Sequence, residues 1–432
     1  MTTEPALDDD ALLDTLQWET FEYFLREVNP RNGLIADKTR EGWPASIAAT
    51  GLALAAYPIG VERGFMTRDE AAAITLTTLR FLWDSEQSTA ADATGYKGFY
   101  YHFLHMDTGK RAWQCELSTI DSTFLLAGAL AAAMYFDRDE ENEQRIRTLA
   151  EDLYRRADWR WAQNRGATVT LGYKPRQGFL RYRWEGYDEA LLLYVLGLGS
   201  PTHPLSDESY AAWLSTYTWS RIYDHEFVYA GPLFIHQLSH LWIDFRGIQD
   251  AFLREKGIDY FENSRRATYV QREYAIRNPP GFAGYSKDCW GVTASDGPGP
   301  ATIKVNGVVR KFFDYIARGA PYGPDDGTIA PWAVVASLPF APEIVMPAIR
   351  YFHDIELKQS DSYGFKATFN PTFPVKDKNQ YGWVSPWNFG LNQGPIVLMI
   401  ENYRTGMLWQ LMRRCPHIVR GLGRAGFTGG WL

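Results

Sequence analysis

A chain of 432 residues has room for two or three average domains or for one large helical toroid, so length alone excludes neither. With 46% hydrophobic and 22% charged residues, composition excludes a disordered chain and predicts a sizeable core. The net charge of −7 comes from acids and bases interspersed along the whole sequence, and without a basic stripe to neutralise a phosphate backbone, nucleic acid is not an expected partner.

The chain opens on MTTEPALDDDALLDTLQWETFEYF, which has neither a basic nor an apolar leader region, and no later run approaches the apolar length of a membrane span. The expectation is a cytoplasmic protein with no membrane partner, periplasmic if a leader has been removed. Leu13, Leu16, Phe21 and Phe24 then set a helical rhythm over Leu12 to Arg26. The same periodicity predicts helices over Ser46 to Glu62, Thr67 to Ser85, Ser118 to Phe136, Glu140 to Asn164, Tyr187 to Leu198, Ser206 to Trp219 and Leu233 to Glu255. Four more follow, over Tyr260 to Ile276, Pro331 to Leu338, Pro342 to Phe352 and Pro395 to Met412.

Some of these, such as TFLLAGALAAAMYF, are apolar all round, whereas EQRIRTLAEDLYRRADWRWAQ is charged on one face. All-apolar helices belong inside and two-faced ones outside, so the mixture predicts concentric rings, an all-α (α/α)6 toroid formed as a single domain over 1–432. Three long irregular stretches, Asn278 to Thr302, Arg318 to Ile329 and Leu357 to Asn392, are too rich in Trp, Tyr and Phe for disorder and are expected over a cleft. The alternating segment FYYHFLHMDTGKRAW, with a turn at Asp107, Thr108 and Gly109, predicts a small β-hairpin on that face. No repeat or linker interrupts the chain.

The aromatic content, 15% with 16 Trp, falls largely in Gly- and Pro-rich segments, where ring faces suit the apolar faces of sugars. Cys115, Cys289 and Cys415 are scattered and odd in number, forming neither a disulfide framework nor a metal pair and favouring a reducing compartment. No cofactor is expected: GLGRAG at Gly421, Gly423 and Gly426 is followed by too little chain for a dinucleotide-binding unit, and Walker A, GxSxG and EF-hand patterns are lacking.

Five blocks could carry chemistry. In WQCELSTIDSTFLLAGAL, Ser118 and Asp121 have the spacing of a capping box, which accounts for Asp121 without function but leaves Glu116 unexplained. In RYRWEGYDEALLLYVLGLG, Glu185, Asp188 and Glu189 crowd the start of an apolar helix; dipole stabilisation of first-turn acids is the plain explanation. Trp184 and Tyr187 stand among those acids, however, with Arg181 and Arg183 before them, and a carboxyl against aromatic walls keeps its proton to higher pH. Glu189 is therefore the expected proton donor. In HQLSHLWIDFRGIQD, His236, His240 and Asp244 fall at steps of four, but Gln237 breaks the HExxH zinc signature, leaving a substrate-facing or structural network and no metal. YSKDCWGVTASDGPGP offers Trp290 and Asp296, the latter either a turn former or a second cleft acid. YGWVSPWNFGLNQGPIVLMIENYRTGMLW offers Trp383 and Trp387 as sugar platforms, with Asn392, Gln393, Glu401 and Arg404 on the helix beyond.

Together these blocks, with TFEYF, GLIADKT, GYDEALLLYVLGLGSPTHP and DDGTIAPWAVVASLPF, resemble the glycoamylase-like family that includes the bacterial endo-β-1,2-glucanases of glycoside hydrolase family 144. The resemblance runs over most of the chain. It implies the same toroid, cleavage of β-1,2-glucan, Glu189 as proton donor and catalytic involvement of Glu116 and Asp121; substrate contacts are expected from Arg183, Trp184, Tyr187, His203, His240, Asp244, Trp290, Trp383, Trp387, Asn392, Gln393 and Arg404. Relatives often read IDQGP where this chain has Leu391, Asn392, Gln393, Gly394 and Pro395; an amide at Asn392 is no base, which leaves water activation to Asp121 or Asp296. Inversion, as relatives suggest, would set the two carboxyls roughly 6.5 to 9.5 Å apart or farther. The alternatives are a non-catalytic glucan-binding or sensing protein, and a same-fold enzyme acting on another linkage or by phosphorolysis. The expected partner is an oligo- or polysaccharide, bound by a monomer or small homo-oligomer.

Overall fold

The computed structural model describes residues 8–357, 363–376 and 379–432. Two of the most apolar stretches form a central pair of helices, Ile47–Glu62 and Thr119–Tyr135, in which nearly every residue is buried. Each starts at a serine whose hydroxyl accepts the amide three residues on, Ser46 from Ala49 and Ser118 from Asp121, giving a partner to a donor that the first turn leaves free. Glycine permits their close approach. A Cβ on Gly128 would stand 1.9 Å from the Gly51 carbonyl oxygen, and one on Gly51 would stand 2.3 Å from the Phe124 carbonyl oxygen.

A ring closes from this pair. The Thr119 helix packs on Leu191–Gly199, which meets two 3-10 turns, Leu233–His236 and Leu238–Leu241, through Ser239: its hydroxyl accepts the Leu192 amide (3.1 Å) and donates to the Glu189 carbonyl (3.2 Å). Gln237 donates to the Ala333 carbonyl (2.6 Å), linking the turns to Pro331–Val335; that helix packs on Gly390–Arg404, which returns to Ile47–Glu62. Between these six inner elements in sequence run the outer ones, Asp9–Arg26, Arg68–Asp84, Glu141–Arg156, Ser209–Leu214, Tyr260–Arg277 and Pro342–Asp354. The architecture is the (α/α)6 toroid that the two kinds of helix imply. Every residue of Leu191–Gly199 is buried, whereas Glu141–Arg156 turns Ile146, Leu149, Ala150 and Leu153 inward and most of its charges outward.

Boundaries differ where side chains compete with the helical backbone. The single helix expected over Leu233 to Glu255 does not form: after the two 3-10 turns, Asp244 accepts the Arg246 amide, Gly247 adopts φ +75°, and only Ala251–Lys256, capped by Asp250, is helical again. Steps of four therefore do not align His236, His240 and Asp244 on one face. The Leu191 helix starts four residues later than expected, because the Asp188 carboxylate accepts the Ala190 amide and holds Asp188 and Glu189 in a turn. Gly406, at φ +67°, ends Gly390–Arg404 and starts Met407–Arg413. Residues 358–362 and 377–378 of the expected Leu357 to Asn392 loop lie outside the described residues.

The alternating segment after Tyr96 is built into more than a hairpin. Its turn is present, with Gly109 donating to the His105 carbonyl and His105 to that of Lys110 (2.8 Å each). The preceding strand Phe99–Tyr101 belongs to a five-stranded antiparallel sheet with Gly95–Tyr96, Leu117–Ser118, Gly172–Lys174 and Gly178–Phe179. The register Tyr101↔Leu117 places His102 beside Glu116. Among the described residues no helix is long and apolar enough to cross a membrane.

The glycine contact generates a paired expectation. Gly128→Ala should destabilise the chain by about 1–3 kcal/mol, the usual cost of overpacking. Gly423→Ala, in a helix with nothing within 4 Å of the added Cβ, should be neutral or stabilising by up to ~1 kcal/mol. Urea unfolding of both variants checks this; equal midpoints would show that the central pair can relax around a methyl group.

Candidate active site

The inner elements all begin at one end of the toroid, and there a cavity of about 300 Å³ opens. Five of the six contribute a wall residue from, or just before, their first turn: Asp121, Glu189, Phe234, Trp332 and Asn392. Glu116, His102 and Leu171 come from the sheet and its edges, Trp184 from the segment before Glu189, and Tyr315 from the chain after the hairpin Ala301–Val305 and Val308–Phe312. A larger hollow of about 600 Å³ lies where the Ile47 and Thr119 helices end, but its acids are satisfied: Glu401 accepts two bonds from Arg63 (2.6 and 3.1 Å), and Glu62 accepts one from Tyr135 (2.7 Å).

His102 ties the acids together. Its Nδ1 lies 2.9 Å from Glu116 and its Nε2 3.6 Å from Asp121, whose other contact is the Ser118 hydroxyl. Burial opposes a charged imidazole here, but Asp121, Glu116 and Asp37 outweigh it and raise its pKa to about 9. In return the His102 hydrogen bond holds the Glu116 carboxyl down at about 2. Glu189 has the opposite environment. Enclosure by the surrounding protein, then the neighbouring charges of Asp188 and Asp121, hold its pKa well above the ordinary carboxylate range, opposed only by its own backbone amide. Asp188 is raised by the same enclosure, although Trp213 (3.1 Å) and the Ala190 amide (3.0 Å) donate to it.

Tyr315 faces the cavity, 52% exposed, yet lies deep within the protein outline. That enclosure, then the charges of Asp37, Asp121, Asp296 and Glu189, push its phenol pKa up, which marks the ring as the point where four carboxyls converge. Asp37 itself is pushed up to about 6 by burial, against the pull of His102 and Lys38 and a hydrogen bond from Trp43 (3.1 Å).

Of the residues singled out in the sequence, Glu116, Asp121, Trp184, Glu189 and Asn392 meet in this cavity. Trp184 is fixed there by its indole, which donates to Thr119 Oγ1 (3.0 Å). Asp296 does not line the cavity, although its charge reaches Tyr315; its carboxylate accepts from Ser385 (2.8 Å) and its carbonyl from Thr368 (3.1 Å), so the two aromatic loops do lie side by side. Trp383 is on the strand leading to Ser385, and Trp387 follows it, half-buried under Arg40.

The remaining residues are placed elsewhere. Arg183 spends its guanidinium on the carbonyls of Gln163, Asn164 and Thr168. Tyr187 is buried against Tyr217, Tyr260 and His236. His203 is exposed beyond the far end of the Leu191 helix. His240 is buried against Ser264 (2.9 Å), and burial drives its pKa down to about 3; His236 turns instead to the Ala230 carbonyl (3.1 Å). Asp244 accepts both arms of Arg246 (2.8 and 2.7 Å) and a bond from Arg413. Trp290 is fully buried, Gln393 is buried with its Oε1 lacking a partner, and Arg404 pairs with Asp14 at the other end of its helix. Among the described residues no three His, Cys, Asp or Glu side chains are grouped to hold a metal ion.

Sequence reasoning missed His102, Tyr315, Asp37 and the walls Phe234 and Trp332. His102 had a usable signal, since it lies in the alternating segment whose strand pairs with ELSTID; Tyr315 had none, because only the path of the Ala301 hairpin brings it over the cavity.

Residues 181–416 match the family model described as "Glycoamylase: Putative glucoamylase". The chain is 29% identical over 460 residues to the exo β-1,2-glucooligosaccharide sophorohydrolase (non-reducing end) of Parabacteroides distasonis, covering 98% of this chain and 58% of that relative, so it spans less than two thirds of the curated relative's length. A Bacteroides uniformis protein solved under the same glucoamylase description superposes with a TM-score of 0.87 at 32% identity, over 99% of this chain and 100% of that one. The endo-β-1,2-glucanase of Chitinophaga pinensis, solved with sophorotriose and glucose, does so with a TM-score of 0.86 at 26% identity, over 99% and 100%. With more than half of its length in the family model and a 32% identical structure matching it almost throughout, the chain belongs to the glycoamylase family.

Proposed function

We propose that this chain is a glycoside hydrolase that cleaves β-1,2-linked glucan or its oligosaccharides by inversion, with Glu189 as general acid. The observation that carries the reading is the contrast between carboxyls in one cavity: Glu189 is held protonated by enclosure and neighbouring acids, while His102 keeps Glu116 ionised. Cleavage with inversion needs such a proton donor and, besides it, a carboxylate that takes the proton of the attacking water. The names of the Parabacteroides and Chitinophaga relatives supply the linkage. Three free, buried cysteines fit a reducing compartment, and we place the enzyme in the cytoplasm.

In this reading Glu189 gives its proton to the glycosidic oxygen as the bond to the anomeric carbon breaks. A water attacks that carbon from the other face and passes its proton to Asp121, which lines the cavity; Asp296, bonded to Ser385 and near enough for its charge to reach Tyr315, is the second candidate. Asn392 stands in the wall as a hydrogen-bonding amide, and Trp184 offers a ring to the sugar. Imidazolium at His102 lets Glu116 and Asp121 stay close without mutual repulsion.

Replacing the acid tests the reading. Glu189→Gln should lower kcat on β-1,2-glucan by about 10²–10⁴ while the protein still binds the chain. Chromatography of released sugars measures it, and undiminished product would remove Glu189 from the mechanism and leave the glucan-binding alternative. NMR of the first-formed reducing end should show the α-anomer; the β-anomer would mean retention.

The His102 network makes a separate prediction on stability. A histidine raised from 6.5 to about 9 stabilises the fold fully below pH 6.5 and loses that contribution as pH rises to about 9. Glu116, lowered from 4.5 to about 2, contributes above pH 4.5 and loses it as pH falls towards 2. Urea midpoints should therefore drop from pH 6.5 to pH 9 by more in the wild type than in His102→Gln. Parallel drops would show that His102 carries no such linkage.

A further inference from the structure

Beside the cavity, on the His102 side, an aromatic and cationic cluster stands at the surface. Trp43 and Trp113 meet edge to face with centroids 4.7 Å apart, and Trp113 leans on Phe103 at 5.2 Å. Phe103 in turn stacks on His102, with centroids 3.9 Å apart and planes 13° from parallel. Trp113 is thus two ring contacts from the imidazole that bonds Glu116. The faces of Trp43 are engaged by cations, Lys38 at 4.3 Å and Arg40 at 4.5 Å, and its indole nitrogen by Asp37. Trp113 is differently placed: it is 52% exposed, although it is the kind of side chain that folding hides best.

The backbone beneath it is built to hold it there. Trp113 and Gln114 are consecutive non-glycine residues in the left-handed region, at φ +50° and +54°, a conformation that persists only where the surroundings enforce it. Arg111 enforces it by donating to the carbonyls of Gln114 and Cys115 (2.6 Å each), while its guanidinium lies 4.6 Å from the Tyr101 ring centroid. The bend turns an indole outward two ring contacts from His102, a wall residue of a cavity of about 300 Å³, which is at the small end for a ligand pocket and holds only a short segment of a sugar chain. The chain must leave that cavity across its rim.

We propose that Trp113, buttressed by Trp43 and Phe103 and held out by the Arg111-braced bend, is a stacking platform for a glucosyl unit of the substrate outside the carboxyl-lined cavity. It makes the protein prefer long oligosaccharides over short ones. The inference rests on the proposed glucan reading for its ligand class, and on the geometry of the bend for its position. A tryptophan needed only for folding would be packed away, and its backbone would not require bracing in this conformation.

The test compares wild type, Trp113→Ala and Trp113→Phe on the trisaccharide and on longer members of the β-1,2 series, following kcat/KM by product release and binding by calorimetry. The ratio of kcat/KM for the long chain to that for the trisaccharide should fall about tenfold in Trp113→Ala, by a rise in KM, and recover largely in Trp113→Phe. Melting temperatures of the variants should stay near that of the wild type. Equal losses at all lengths, or no loss at any, overturn the platform while leaving the hydrolase intact. If the wild type cleaves no β-1,2-glucan but binds a longer chain in a way that Trp113→Ala weakens, the hydrolase reading falls and the platform stands. If it neither cleaves nor binds, both fall.

Discussion

The contact between Gly51 and Gly128 fixes the dimensions of the rest. With no side chain between them, the Ile47 and Thr119 helices touch backbone to backbone, and their starts are drawn together at the cavity end of the ring. Ser118 then has two tasks at one place. Its oxygen accepts the Asp121 amide to cap the helix, and its hydroxyl proton goes to the Asp121 carboxylate, which aims that acid at the cavity. A structural cap and a site residue are here the same interaction, so the capping pattern in the sequence and a functional role for Asp121 never were competing explanations.

The electrostatics follow from where the ring elements begin. Acids accumulate at this end because helix starts present free amides and a partial positive charge. The sheet edge adds a single imidazole between two of them, and the turn before the Leu191 helix adds a carboxyl that enclosure and neighbouring acids, Asp188 foremost, hold against ionising. The result is a graded set: Glu116 ionised at any working pH, His102 charged, Glu189 reluctant to ionise. No one of these states is intrinsic to its residue type; each is produced by what the fold sets beside it.

That distinction separates what could be read from the sequence from what could not. The rings were legible because GLALAAY and TFLLAGALAAAMYF can only be buried, and EQRIRTLAEDLYRR can only be half buried. That Glu189 lies in a cavity with Trp184 was legible because the two are five residues apart across a turn, whereas Tyr187, read beside them, is buried against Tyr217 and Tyr260. The segment Leu233 to Glu255 was misread as one helix because its apolar spacing is correct for one, while the Asp244 side chain and Gly247 redirect the backbone. Trp290 was expected to contact the sugar from a loop over the cleft, yet it is wholly buried, since packing from other segments is invisible in local composition. His102 depended on strand register, and Tyr315 on the path of a hairpin, both of them tertiary facts.

Ring closure carries a last consequence, for the order in which the molecule comes into being. The Gly390 helix seals the toroid by returning to the opening segments: its first amide donates to the Asp37 carbonyl (2.9 Å), and Gln17 reaches the Val397 carbonyl (3.1 Å) across 380 positions of chain. It also brings Asn392, the final wall residue. During synthesis the nascent chain therefore carries an open crescent with its apolar inner faces uncovered until the Gly390 helix has emerged. Asn392 takes its place in the wall in the same event that hides those faces, so a chain that stops short of this helix has exposed hydrophobic surface and no complete cavity.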